Sequence, residues 1–435
     1  MNKIDKQDEI TRRNFLSGAA RSYLGVSVLP MLGATLGTEN AFGAAAPPLR
    51  ANAAKSVIFL NMSGGMSHLD TFDPKPGAGE DVRGPTNSIS TKGDGQLSEY
   101  LPQTAKVMNH ICVINSMSTQ QGAHEQGQYA LHRGYAPRGT IVHPVLGSWV
   151  LRLSGRRNTT IPGFVSIGGN KDLASGGFMG AKYSGVPLGN PNEGLKNSSL
   201  AGSVTQEDFD QRLNLADALN KEFHGKFDSK KAQSYTGLYD EAVRLMTSED
   251  LKAFDLSEEA SETRSLYGGS SFGQGCLLAR RLVEHQVRVV QVTLGGWDTH
   301  YDNFTSVPAR CEQLDSGLAG LITDLERRGL LDSTIVVLGT EFGRTPKIVQ
   351  EHQMGRDHYP RCYSALIAGG GVKAGRYGKS DRNGAMVAEN AVSPEAFLAT
   401  IGFGLGLPLE RVIKSETGRP FWLGNKAKPL TELFS

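Results

Sequence analysis

Carboxylates and imidazoles recur at short spacing in one part of this chain. Asp298 and His300 lie in Gly295-Gly296-Trp297-Asp298-Thr299-His300, Glu341 in Thr340-Glu341-Phe342-Gly343-Arg344, and Asp357 and His358 in Gly355-Arg356-Asp357-His358. A mixed oxygen and nitrogen set of this kind suits Zn, Mn or Fe(II) over Mg or Ca, which prefer oxygen alone. One or two divalent ions are therefore the expected cofactor. Such an ion polarises an ester oxygen and lowers the pKa of its water to about 7 in favourable cases. An earlier loop adds Ser63, Ser67, His68 and Asp70. Together these supply a nucleophile, a base and metal ligands around the paired glycines Gly64-Gly65, which let backbone approach a ligand closely. The same loop also reads as a polar turn whose Ser and Asp side chains satisfy backbone groups. His124 opens a helical run that stops at Gly134, and it either faces the site or serves as a cap or core residue. Arg344 or Arg356 offers a planar fork of donors for an anionic group, or each is an ion-pair partner. Trp297 is either a substrate wall or a packing aromatic.

The elements that must position these residues are legible around them. An apolar run from Val289 ends at the Asp298 cluster. Cys311, Leu314, Leu318, Leu321, Ile322 and Leu325 then recur at helical spacing, and Gly329 follows as a stop. Thr334-Ile335-Val336-Val337-Leu338 reads as a strand buried on both faces. A strand, helix, strand crossover is parallel, so the ends carrying Asp298 and Glu341 share one edge of a sheet. Ligands in open α/β sheets bind outside that edge. Further strands are expected over 56–60, 111–114, 163–167 and 364–368, and further helices over 97–110, 143–151 and 394–403. The fold class is α/β: a doubly wound, mostly parallel sheet flanked by helices, with a helical insertion over 206–286. The stretch 168–203 is rich in Gly, Asn and Ser and lacks any period, as expected of a lid or loop over the site.

Bulk properties narrow the partners. The 46 Lys and Arg residues nearly balance the 44 Asp and Glu residues, for a net charge of +2. No basic block or basic aromatic stripe is present, so no nucleic-acid partner is expected. Four cysteines without a Cys-x-x-Cys pair indicate neither a zinc ribbon nor a disulfide scaffold. At the start, Thr11-Arg12-Arg13-Asn14-Phe15-Leu16 is a twin-arginine export signature, followed by a weakly apolar stretch and small residues around Ala41 to Ala46. Residues 1–45 are read as this signal, 46–54 as a linker and 55–435 as a single domain. The apolar stretch is too short and polar for a stable membrane span. The export machinery is thus an expected partner, and the expected location is periplasmic or secreted.

From about residue 55 to 423 the chain resembles the bacterial domain-of-unknown-function family 1501, which belongs with the alkaline phosphatase and sulfatase superfamily. The carrying motifs are Ser63-Gly64-Gly65-Met66-Ser67-His68-Leu69-Asp70-Thr71, Gly296-Trp297-Asp298-Thr299-His300, Glu341-Phe342-Gly343-Arg344-Thr345-Pro346 and Gly355-Arg356-Asp357-His358. The resemblance implies a metal site at the strand ends that stabilises charge on a phosphoryl or sulfuryl group. By order along the chain it places Asn61 where the superfamily has a first metal-binding aspartate, and Asp298 and His300 where it has an Asp and His pair. Glu341-Phe342-Gly343 takes the place of an Asp-His-Gly motif, and His358 that of the last histidine ligand. Leu131-His132-Arg133-Gly134 resembles a Leu-Thr-Gly-like sulfatase element, and the nucleophile position ten residues before its glycine falls on His124. The expected function is an exported metal-dependent hydrolase of a small anionic phosphate or sulfate ester, acting through a metal-activated water or a loop nucleophile. The alternative is a non-catalytic periplasmic binding or assembly protein on a degenerate hydrolase scaffold.

Overall fold

The computed structural model describes residues 53–195, 205–226, 245–246 and 248–435. The twin-arginine segment lies outside these, as does nearly all of the linker. Contacts divide the described chain into a larger unit, within 43–192 and 256–435, and a smaller unit that holds the described parts of 193–255.

The larger unit is built on one eight-stranded sheet. Its strands are β1 (Ser56–Met62), β2 (Ile111–Met117), β3 (Phe164–Ile167), β4 (Val186–Leu188), β5 (Val289–Leu294), β6 (Thr334–Gly339), β7 (Tyr363–Ala368) and β8 (Gly375–Tyr377). They lie in the order β8-β2-β7-β6-β1-β5-β3-β4. β7 is antiparallel to both of its neighbours, and every other pairing is parallel. The central strands are apolar throughout because both faces are covered. Val57, Ile58, Phe59 and Leu60 of β1 are 0–2% exposed, and each such side chain contributes about 1.5–3 kcal/mol on burial.

Helices cover the sheet: α1 (His124–Arg133), α2 (Leu146–Ser154), α3 (Ser271–Glu284), α4 (Asn303–Arg327) and α5 (Pro394–Gly404). α3 packs on α4 and on β5, α5 on α1, and α2 against β3 and β5. β1 is flanked by β5 and β6 in a register that pairs Asn61 with Thr293 and with Gly339. The three strand ends that release Ser63, Asp298 and Glu341 are therefore adjacent. No described helix is long and apolar enough to cross a membrane.

One stretch differs in detail from the expectation. Over 97–110 there is no α-helix; a short strand, Gln96–Ser98, is followed by a 3-10 helix, Thr104–His110. Pro102 cannot donate, and the Asp315 carboxylate instead accepts from the N–H groups of Gln103 (2.9 Å) and Thr104 (2.6 Å). Of the stretch 168–203, residues 168–195 are described. They form 3-10 turns around β4, which extends the sheet beside β3. Within 206–286, Gln206–Lys226 is an α-helix of the smaller unit and α3 belongs to the larger one.

Candidate metal centre

β1 and β5 leave the sheet side by side, with the Ser63 N–H donating to the Leu294 carbonyl at 3.0 Å. Gly64 then turns beneath the Asp298 loop at φ +120°, where an added Cβ would lie 2.6 Å from the Asp298 nitrogen. Only glycine fits there. Its N–H donates to Glu341 Oε1 at 2.9 Å, and Glu341, two residues past β6, is 1% exposed. Two short antiparallel strands, Gly343–Arg344 and His358–Tyr359, pair His358 with Arg344 and return the chain to the same edge.

Each of three imidazoles is tied at Nδ1. His124 Nδ1 lies 2.8 Å from Glu341 Oε1, His300 Nδ1 2.6 Å from Asp357 Oδ1, and His358 Nδ1 2.9 Å from the Gly122 carbonyl. These partners accept hydrogen bonds, so a proton is held on each Nδ1, and in the neutral form that binds a metal each ring turns an Nε2 lone pair inward. The Nε2 atoms of His300 and His358 are 3.0 Å apart and lie 3.2 and 3.3 Å from Asp298 Oδ1. His124 Nε2 lies 3.2 Å from Asp298 Oδ2.

Lone pairs and a carboxylate facing one another at this range repel unless a cation lies between them. Ligands about 2.0 Å from a tetrahedral ion are roughly 3.3 Å apart, close to the triangle formed here. Ligand atoms of His124, Asp298 and His358 also lie within 4.8 Å of one another. Asp357 and Glu341 behind the histidines provide the outer carboxylates that fix ring orientation at metal sites. The residues present therefore fit a divalent ion.

The rest of the site is a floor and a mouth. The buried Phe342 ring packs against His124 (5.0 Å between centroids) and His358 (4.6 Å), sealing the floor. Asp298, with 46% of its side chain exposed, opens to solvent. Burial alone would raise the Asp298 carboxyl, but the hydrogen bond and charge of Arg344, with His124 and His300 nearby, hold it at about 2. The hydrogen bond to Glu341 raises His124 above the usual imidazole value, and burial lowers His358 below it.

The structure brings together His124, Asp298, His300, Glu341, Asp357 and His358. Arg344 joins them through Asp298 Oδ1 (2.5 Å), and Ser63 through Gln128, whose Nε2 lies 3.4 Å from Ser63 Oγ. Four expected residues are placed elsewhere, which corrects the expectation that they serve the centre. Asp70 is fully buried and accepts from Arg356 (2.8 Å), Asn303 (3.0 Å) and Thr86 (3.2 Å). Ser67 donates to Asp70 at 2.5 Å. His68 is buried against the Gly384 carbonyl at 2.8 Å. Asn61 is buried beside His132, with Oδ1 3.2 Å from its Nε2. Ser67 and Asp70 satisfy interior groups, the Asp70 N–H donating to Ser67 Oγ at 3.3 Å, as the polar-turn reading of that loop allowed.

The arginines are also corrected as anion holders. Arg344 donates to the carbonyls of Gly64, Gly65 and Arg356 and to Asp298. Arg356 donates to Asp70 and to the carbonyls of Val82, Thr345 and Pro346. Every guanidinium nitrogen of both is spent on the protein itself. Trp297, 1% exposed, is a packing residue and lines no substrate wall. Sequence reasoning missed Gln128 and the role of His132, although His124, Gln128 and His132 recur every fourth residue as a polar stripe on α1.

Among solved structures, the chain is similar to the lipoteichoic acid synthase LtaP from Listeria monocytogenes (10% identity, TM-score 0.38, 83% of this chain and 76% of that one). It is similar to the PsFucS1 sulfatase from Pseudoalteromonas sp. (11%, 0.39, 82% and 69%). It is also similar to alkaline phosphatase from the Antarctic bacterium TAB5 (12%, 0.36, 76% and 96%). No curated protein matches it. The model of the family described as "Protein of unknown function (DUF1501)" matches residues 54–434, so the chain belongs to that family.

Proposed function

We propose that this chain is an exported metal-dependent hydrolase of a phosphate or sulfate ester. The observation that carries this reading is the convergence of three Nε2 atoms on Asp298, with each Nδ1 tied outward. A divalent ion held there supplies Lewis acidity toward an ester oxygen. The nitrogen-rich set favours Zn, Mn or Fe(II). Around it, Asp298 stays ionised under the hold of Arg344, Phe342 keeps water from the floor, and Glu341 fixes the His124 ring. Phe342 and the buried Asn61 take two positions where the resemblance expects ligands, which supports one ion over two. The twin-arginine signature of residues 11–16 supports folded export to the periplasm, and Arg12→Lys with Arg13→Lys should leave the protein in the cytoplasmic fraction.

The deciding experiment is elemental analysis of the folded, exported protein, followed by aryl phosphate and aryl sulfate assays. The expected result is near-stoichiometric metal, with His300→Ala losing both metal and turnover. The commitment of every guanidinium nitrogen of Arg344 and Arg356 to partners within the protein favours a second reading, a non-catalytic binding or assembly protein on a hydrolase scaffold. Stable, metal-free wild-type protein without ester turnover would select it.

A further inference from the structure

We infer that Gln128 and His132 are positioning residues that set the metal affinity of the centre through Glu341, an inference that rests on the hydrolase reading for its ion. Glu341 is a buried carboxylate with no lysine or arginine hydrogen-bonded to it among the described residues. Its Oε1 accepts from the Gly64 N–H (2.9 Å) and faces His124 Nδ1 (2.8 Å). Its Oε2 depends on Gln128 Nε2 at 2.8 Å, with a longer contact from the Thr340 hydroxyl at 3.3 Å. Losing Gln128 would leave Oε2 almost bare in a site where an unpaired polar group is costly. The carboxylate would then be free to rotate, and its grip on His124 Nδ1 would loosen.

A glutamine amide points its NH2 at Glu341 only if something holds its oxygen. His132 does this. Its Nε2 lies 3.1 Å from Gln128 Oε1 and 3.2 Å from Asn61 Oδ1. Two acceptors fix the His132 proton on Nε2. The chain therefore reads in one direction: His132 Nε2–H to Gln128 Oε1, Gln128 Nε2–H to Glu341 Oε2, then Glu341 Oε1 to the proton on His124 Nδ1. Its end result is a His124 Nε2 lone pair aimed at the Asp298 side of the centre. One turn of helix separates His132 from Gln128 and another separates Gln128 from His124, so the rigid backbone of α1 sets the spacing of these three, while Glu341 enters from the loop after β6. His132 is 1% exposed and packs on Phe59 at 5.0 Å between ring centroids, which locks the ring plane.

The test uses Zn2+ titration in competition with a chelator on the full mature chain, together with 15N NMR of the imidazoles in the metal-free protein. Gln128→Leu keeps the bulk and removes the amide. His132→Phe keeps the ring against Phe59 and removes the N–H, whereas His132→Gln restores a donor. Gln128→Leu and His132→Phe should bind Zn2+ roughly 10- to 100-fold more weakly, the range typical of lost outer partners at metal sites. His132→Gln should stay close to wild type. In the metal-free spectra, the His124 proton should reside on Nδ1 in wild type and be redistributed in Gln128→Leu. Wild-type Zn2+ affinity and an unchanged His124 signature in Gln128→Leu would overturn the inference, whether or not His132→Phe folds. If wild type binds none of Zn2+, Mn2+ and Fe2+, the hydrolase reading falls separately. The His124 signature then decides alone: dependence on Gln128 supports the positioning role, and independence overturns it.

Discussion

Asp70 and Asp298 are both aspartates in strand-end loops, and their surroundings separate their roles. Asp298 is half-exposed and faces three imidazoles. Asp70 is fully buried opposite the equally buried Arg356, with Ser67, Thr86 and Asn303 filling its remaining lone pairs. Removing one partner of a buried, hydrogen-bonded ion pair leaves the other charge uncompensated and costs about 3–5 kcal/mol. Asp70→Asn should therefore lower stability by an amount of that order in urea denaturation, while the molecules that remain folded keep their full metal content. A variant that stays as stable as wild type but loses its metal would instead return Asp70 to the centre. The contrast also explains why residue type alone misplaced Asp70: its partner lies 286 positions away in sequence.

At the scale of elements, the site depends on loops that cross at close range. Arg356 N–H donates to the Thr299 carbonyl at 3.0 Å, and a Cβ on Gly355 would sit 1.6 Å from the His300 carbonyl oxygen. The loop that delivers Asp357 and His358 therefore lies directly against the loop that delivers Asp298 and His300. Gly355→Ala must push them apart, and elemental analysis should find its metal content well below that of wild type. Gly139→Ala, whose Cβ meets nothing within 4 Å, is the matched control and should remain metal-replete. Metal-replete Gly355→Ala would refute this coupling. The elements themselves were largely legible. The apolar runs of β1, β6 and β7 and the stripe of α4 have one period each and one way to be buried, and the crossover rule then places Asp298 beside Glu341. The 97–110 segment was misread because the Asp315 carboxylate, supplied by α4, caps a tighter turn. Gln128 was missed because an amide becomes informative only once its two neighbours are known.

For the molecule as a whole, buried neutral histidines set the response to acid. Burial lowers His132 to about 3 and His143 to about 4, and it lowers His68 as well. In the unfolded chain each takes a proton near pH 6.5, so between about pH 4 and 6.5 the unfolded state binds more protons and stability rises with pH. Acidification from pH 6.5 to 5 should then cost about 3 kcal/mol from His132 and His143 together, since each such group contributes up to about 1.4 kcal/mol per pH unit. His124 has the opposite sign. Its raised value stabilises the fold below pH 6.5 and loses that effect as pH rises through the folded value, so it is charged in both states across the acid window and cancels there. Asp298, held at about 2, loses its contribution only below about pH 4. Urea denaturation with chelator present, which removes metal release from the balance, should show this fall between pH 6.5 and 5. His132→Gln, which keeps a donor toward Gln128 but cannot titrate, should recover about half of the part that His132 and His143 contribute, with the share of the other buried histidines left in place. An acid response unchanged in that variant would mean that His132 is already charged in the fold, and its neutral ring could no longer account for the pH dependence.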